Sequence, residues 1–564
     1  MKKAILFLFS FTFVCVAWTQ VSVVKPNIYP YDFVAELNGK IIFFSSTEAE
    51  PYNVEVWSSD GTDAGTALLK DINGTADGSI CSNSYWGPGY NDRMPVIYKN
   101  EIYFLATDGT HGVEVWKTDG TSAGTVMLKD IYPGPQGYFD PQFNYPYFTE
   151  LDGELFFAAN DGSHGFELWK SDGTEGGTEM VKDISADGIY GSNPEHLINF
   201  NGTLIFTARD DVYGYEIYKS DGTEAGTELI KDIVPGIYGS MNDGYAGSID
   251  PQFTVSGDYL YFTGRIDETL PIYFYLYRTD GTDAGTITLN NDLQNVTNFC
   301  DVDGTCYFYG FDGDYDHSSL WKTDGTIAGT TLVSNAANLN ASNLAHSFYN
   351  FNNQLYFYSY TSDLTSVGLG KSNGTDAGTS MITTFEAVGS IPDVHDFNRD
   401  GSSPYFFYHA LKKISETAMS VRLVQTNGTT AGTEVFPGVQ AFRSTAFLDG
   451  DIYFAGIDST ADEVWGLYKV HPLDLGVAIE NEILNAEFSI QPNPSSSTIH
   501  LELPASFVPD EISIYDMNGR KLFSGLVKSE DIYAMDIAEF ANGIYLLEIR
   551  NNEKSYKGKF IVQH

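Results

Sequence analysis

Asp60-Gly61-Thr62-Asp63-Ala64-Gly65-Thr66 is the first of eight versions of one phrase. The pattern (D/N)-G-T-x-x-G-T returns at Asp119, Asp172, Asp221, Asp280, Asp324, Asn373 and Asn427. Successive copies lie 59, 53, 49, 59, 44, 49 and 54 residues apart. A period of about 50 residues signals a propeller, a solenoid or an array, because one such unit cannot bury its apolar face alone.

Each copy sits in a unit of four strands. In the third unit, residues 148–158 read as two short strands around the turn Asp152-Gly153. Residues 166–171 give a third strand, the Asp172 phrase a loop, and residues 179–184 a fourth strand. The same order recurs near 94–131, 196–233 and 253–293, and more loosely near 33–72, 296–333, 347–383 and 393–435. A ninth unit, 442–470, has a hairpin at Asp449-Gly450 and a third strand, but no phrase and no fourth strand. Residues 21–25, at the other end of the chain, are a strand without a unit. Adding them to the ninth unit leaves no strand over and closes a ring. The expected fold is all-β: a large β-propeller of eight to nine four-stranded blades, nine by this count, followed by a small antiparallel β-sandwich.

Composition narrows the function classes. The net charge is −44, from 75 acidic and 31 basic residues. Such a surface repels nucleic acid and anionic lipid. Charged residues are only 19% and aromatics 15%, so the chain is not a disordered polyanion. Lys2 and Lys3 precede an apolar run over 4–17, which reads as a secretory signal over 1–20, cut between Ala17 and Gln20. The run is too short to span a bilayer, and no other stretch could do so. Beyond the signal stand Cys81, Cys300 and Cys306. A tight turn at Asp303-Gly304 would put Cys300 and Cys306 on opposite sheet faces, whereas a three-residue bulged loop could let them pair.

The string Glu167-Leu168-Trp169-Lys170-Ser171-Asp172-Gly173-Thr174 resembles the ELWxxDGT repeat family of secreted bacterial proteins. The likeness is specific in units 2 to 4 and fades in units 7 and 8, where Gly370 and Val424 replace the tryptophan. It implies little about activity. After Val470 the period stops, and 471–487 reads as a linker between the propeller at 21–470 and a domain at 488–564. That domain reads as about seven antiparallel strands. Pro492-Asn493-Pro494, Asn518-Gly519 and Asn542-Gly543 with Tyr545 resemble the type A C-terminal sorting domain of the type IX (Por) secretion system. The resemblance implies a Bacteroidetes-type cell, passage through the periplasm and the type IX machinery as partner. It also implies removal of the tail, with the cargo held at the outer-membrane surface or released.

Residues repeated in eight blades are architectural, since a catalytic constellation needs one asymmetric cluster. Trp57, Trp116, Trp169, Tyr218, Tyr277 and Trp321, each three residues before the phrase, read as packing between blades. The phrases and the Asp-Gly turns share one face of the ring. The other face carries the loops that vary, where binding residues usually sit. Aromatic side chains gather there: Tyr85, Trp86, Tyr90, Tyr138, Tyr190, Tyr238 and Tyr245. Such rings can stack on sugars or anchor a protein. His111 and His164 occupy matching places in adjacent blades and read as loop packing. Asp312, Asp314 and Asp316 alternate in a way suited to calcium, but the glycine and glutamate of an EF-hand are missing. No other cofactor is expected. No G-x-S-x-G, H-E-x-x-H or P-loop is present. The expectation is a non-catalytic propeller, secreted or displayed, that binds a glycan or a surface protein. The alternative is a glycan-active hydrolase or lyase on the same scaffold.

Overall fold

The computed structural model describes residues 21–472 and 489–562, apart from stretches within them, of which 81–94, 136–145, 242–250, 335–347 and 387–402 are the longest. The chain divides into two compact units, 1–477 and 478–564. The first is a ring of nine blades. Eight are four-stranded antiparallel sheets, and the blade built on Phe406–Ser415 has three strands among the described residues.

The ring closes as the sequence predicts. Ser22–Pro26 pairs antiparallel with Val464–Val470 and completes the sheet that also holds Asp451–Asp458 and Val439–Leu448. Strands from the two ends of the propeller thus share blade 9, and their backbone hydrogen bonds close the ring. The seam is packed as well as paired. Val24, Ile28, Phe43 and Trp57 meet Tyr453 and Leu467 in one buried cluster. Lys25 Nζ lies 2.8 Å from Asp63 Oδ1 of the first phrase.

Every neighbouring pair of blades shares one such cluster, nine around the ring. The aromatic residue before each phrase packs against the preceding blade: Trp57 on blade 9, Trp116 on blade 1, Trp169 on blade 2, Tyr218 on blade 3. Strand alternation produces this, because residues of one sheet face the blade before and the blade after in turn. Where Gly370 stands instead, the Phe357 ring of the paired strand lies directly over it, and a Cβ there would meet that ring.

Asp303 and Gly304 both have positive φ, 53° and 76°, as a two-residue hairpin turn requires. Cys300 therefore packs between blades 6 and 7 and Cys306 between blades 5 and 6. The two thiols are free. Burial pushes the Cys300 thiol up to about 12 and that of Cys306 well above its usual range, so neither is a reactive thiolate.

The second unit holds two antiparallel sheets. One orders Ser489–Gln491, Thr498–Glu502 and Ile532–Asp536; the other orders Lys521–Leu526, Glu511–Tyr515, Gly543–Arg550 and Ser555–Val562. Ile499, Ile514, Ile537 and Leu547 are buried.

Candidate ligand-binding face

The eight phrases fold into one loop, and its hydrogen bonds are the same in every copy. In the first, Asp60 Oδ1 accepts the Thr62 amide and the Thr62 hydroxyl at 3.0 and 2.7 Å. Thr62 Oγ1 in turn accepts the Gly65 N–H. The residue before the phrase, Ser59, accepts the Gly61 N–H and bonds the Thr66 hydroxyl, which donates to the Thr62 carbonyl. A serine or threonine stands at that place in all eight copies, which the seven-residue pattern leaves out. Both glycines are dictated: Gly61 has φ of 83°, and a Cβ on Gly65 would run into the Asp60 carboxylate. Asn373 and Asn427 take the aspartate's place with the same two bonds to Oδ1. The loop therefore works without a negative charge.

These loops tie blade to blade. Lys129 Nζ donates to the Thr178 carbonyl of the next blade's loop, Lys182 to Thr227 and Lys231 to Thr286, at 2.6, 2.6 and 3.0 Å. Lys99, beside the first turn of blade 2, donates to the Asp172 carbonyl. Turns and phrases thus lie together on one face of the ring.

The opposite face is anchored by residues that sequence reasoning missed. Glu55, Glu114, Glu167 and Glu216, two places before the aromatic residue, are fully buried. Each accepts N–H groups from the connection to the next blade. Glu167 takes the amides of Ile184, Ser185 and Ser192 and bonds the Ser192 hydroxyl. Glu216 takes the amides of Val234 and Ser240 at 2.9 Å each and bonds the Ser240 hydroxyl. Burial pushes Glu216 up to about 8, and Glu114 and Glu167 to about 7, against the pull of these bonds. A buried carboxyl that holds its proton can donate it to the serine oxygen while accepting the amides. The signal was present in the sequence as Glu before the aromatic, then Lys-Asp-Ile, then Gly-Ser in blades 1, 3 and 4.

Held this way, the connections of blades 3 and 4 end alike among the described residues. Gly191 forms a parallel bridge with Phe166, and Gly239 with Tyr215. Tyr190 and Tyr238 then stand at equivalent places, 67% and 50% exposed, with Ile237 68% exposed. The Arg209 guanidinium lies over the Tyr190 ring at 5.4 Å, and its Nε donates to the Gly191 carbonyl. Tyr85, Trp86, Tyr90, Tyr138 and Tyr245 lie outside the described residues, as do Asp314 and Asp316. Asp312 is exposed. Among the described residues, no three His, Cys, Asp or Glu side chains gather as a metal site would require. The His111 ring bonds Asp108 Oδ2 through Nδ1 at 2.7 Å, and His164 bonds Asp161 likewise at 2.8 Å. Each histidine braces its own turn, and its carboxylate partner raises its pKa.

In the second unit, Tyr545 is buried against Phe540, and Gly543 opens the strand that pairs with Ser555–Val562. Pro492, Asn493, Pro494, Asn518, Gly519 and Asn542 lie outside the described residues. Residues 489–563 match the secretion system C-terminal sorting domain family. The sorting domain marks the chain as cargo for type IX secretion, and so for release or display at the cell surface. No helix among the described residues is long and apolar enough to cross a membrane. No curated protein matches the sequence. Among solved structures, the chain is similar to a puromycin hydrolase at 11% identity and TM-score 0.33, over 68% of this chain and 58% of that one. A puromycin-hydrolysing peptidase of Mycobacterium tuberculosis gives 10% identity and TM-score 0.33, over 69% and 61%. The β-propeller domain of the Trilobed protease from Pyrococcus furiosus gives 11% and 0.29, over 61% and 94%. The match thus spans about three fifths of each hydrolase.

Proposed function

We propose that the chain is a non-catalytic binding propeller, carried out of the cell by its sorting domain, whose ligand is a glycan or a surface protein met by the face opposite the phrases. One observation supports this reading above the rest. The repeated loops use their polar groups on themselves and on neighbouring blades, whereas the opposite face presents exposed aromatic side chains on rigidly held loops. Residues 1–20 act as the signal for the first membrane, and the sorting domain is removed at the second. The mature propeller is then surface-bound or shed.

The test is a glycan array together with a polysaccharide-degradation screen on residues 21–475. Binding without turnover supports the proposal. Turnover would replace it with the glycan-active enzyme. Neither binding nor turnover would leave a protein-partner or structural role.

A further inference from the structure

The connections of blades 3 and 4 contain the same words, Gly188-Ile189-Tyr190-Gly191-Ser192 and Gly236-Ile237-Tyr238-Gly239-Ser240. The scaffold accounts for part of them. Ser192 and Ser240 are buried on Glu167 and Glu216. Gly191 and Gly239 approach the neighbouring backbone so closely that a Cβ would collide with it. Both tyrosine rings are nevertheless exposed, that of Tyr190 beside the Arg209 guanidinium, and so is Ile237. In blade 1, Ala76-Asp77 stands where these loops have Ile-Tyr, ahead of Gly78-Ser79, so the fold does not demand the pair.

Between the two loops lies a turn that exposes two apolar side chains beside Asp211. Arg209, beneath Tyr190, is the last residue but one of the strand Thr203–Asp210 of blade 4, which leads into the turn that carries Val212 and Tyr213. Val212 and Tyr213 are exposed. That turn ends at Gly214, whose missing Cβ would meet the backbone of Ile237 and Tyr238. Tyr190, Arg209, Val212, Tyr213, Ile237 and Tyr238 therefore follow one another across the top of blade 4.

We propose that this strip is a subsite for a neutral polysaccharide chain, its sugar rings stacked along Tyr190, Tyr213 and Tyr238. The inference rests on the binding role proposed above and names its ligand class and place. Two arguments select the occupant. A chain with a net charge of −44 disfavours polyanionic glycans and acidic protein surfaces by long-range repulsion. A stable protein interface needs roughly 20–30 residues a side, and six side chains in a row suit a single extended sugar chain better. Tyrosine fits the task, since it gives a flat apolar ring with a polar tip at little cost in conformational entropy.

The test is affinity electrophoresis of the full chain in gels holding soluble neutral α- and β-glucans, mannan or xylan, beside gels holding alginate or polygalacturonate. At least one neutral glycan should retard the protein, with little change on adding salt. Tyr190→Ala and Tyr238→Ala should each weaken that binding by roughly five- to tenfold, and the double variant should abolish it. Tyr52→Ala serves as the control, since Tyr52 is 84% exposed on blade 1. It should leave binding unchanged. Neutral-glycan binding that survives the double variant would overturn the strip and leave the broader binding role standing. Binding to the polyanions alone, or to none of these glycans, would overturn the ligand class.

Discussion

Glu167 offers a quantitative check on how the variable face is held. In the folded chain its Oε1 accepts the amides of Ser185 and Ser192, while Oε2 faces the Ile184 amide and the Ser192 hydroxyl. Glu167→Ala removes four hydrogen bonds at a buried place, three from backbone N–H groups and one with the Ser192 hydroxyl. At about 1 kcal/mol each, the loss is about 4 kcal/mol when the wild-type side chain is neutral. Ionisation changes that sum. Burial raises the group from 4.5 to about 7, which corresponds to about 3 kcal/mol against the charged form. Between pH 4.5 and 7 the folded chain keeps a proton that the unfolded chain has released, so stability falls as pH rises through this window and levels off above it. Glu167→Ala should therefore cost about 3 kcal/mol at pH 5 and less than about 1 kcal/mol at pH 8.

Glu167→Gln separates the two effects. Its amide oxygen can keep the Ser185 and Ser192 amides, and its NH2 opposes the Ile184 amide, so about 1–2 kcal/mol should be lost at pH 5. It cannot ionise, so its stability should fall between pH 4.5 and 7 by about 3 kcal/mol less than that of the wild type, the remaining fall belonging to Glu114 and Glu216. Denaturant unfolding followed by tryptophan fluorescence at pH 5 and pH 8 reads both quantities. Equal pH slopes for wild type and Glu167→Gln, or a loss under about 0.5 kcal/mol for Glu167→Ala at pH 5, would refute the reasoning.

Three further outcomes are expected. Asp280→Asn should unfold within about 0.5 kcal/mol of wild type, because Asn373 and Asn427 make the same bonds, whereas Asp280→Ala should lose about 1–2 kcal/mol; equal losses in denaturant melts would mean that the charge matters. Removing residues 21–26 deletes the strand paired with Val464–Val470 and one side of the seam cluster, so the ring should open; an unchanged radius of gyration in X-ray scattering would contradict this. Deleting residues 489–563 removes the sorting domain, and the protein should stay inside the cell envelope; surface proteolysis of the truncated protein in intact cells would contradict it.

The ring was legible because its determinants are local and repeated. Asp-Gly turns, strand alternation and the phrase recur often enough to be counted, and the count left one strand over at the start and one strand missing from the last unit. That surplus predicted the pairing of Ser22–Pro26 with Val464–Val470. The buried glutamates were not legible from single residues. Glu167 reads as one more acidic residue among 75, and only the return of the Ile184–Ser192 connection over the third strand shows that it is enclosed. The same limit applies to the aromatic loops. Sequence gathered seven side chains on one face, but their spacing along the chain says nothing of their spacing in space. The structure gives Tyr190 and Tyr238 a shared setting through the bridges at Gly191 and Gly239.

The asparagine copies decide what the phrase is for. A loop built to hold a cation would need its carboxylate in each working copy, because a neutral amide oxygen contributes far less to a hard-ion site. Asn373 and Asn427 instead reproduce the aspartate's contacts bond for bond. The carboxylate also spends one oxygen on its own threonine, and the second glycine lies against it, so little of the loop is directed outward. What the loop does direct outward is its carbonyls, and these receive lysines of the preceding blade. Loops bound to their neighbours in this way stiffen the ring from one side. The other face is held differently: there each of four connections hangs on one buried glutamate, whose pKa burial raises.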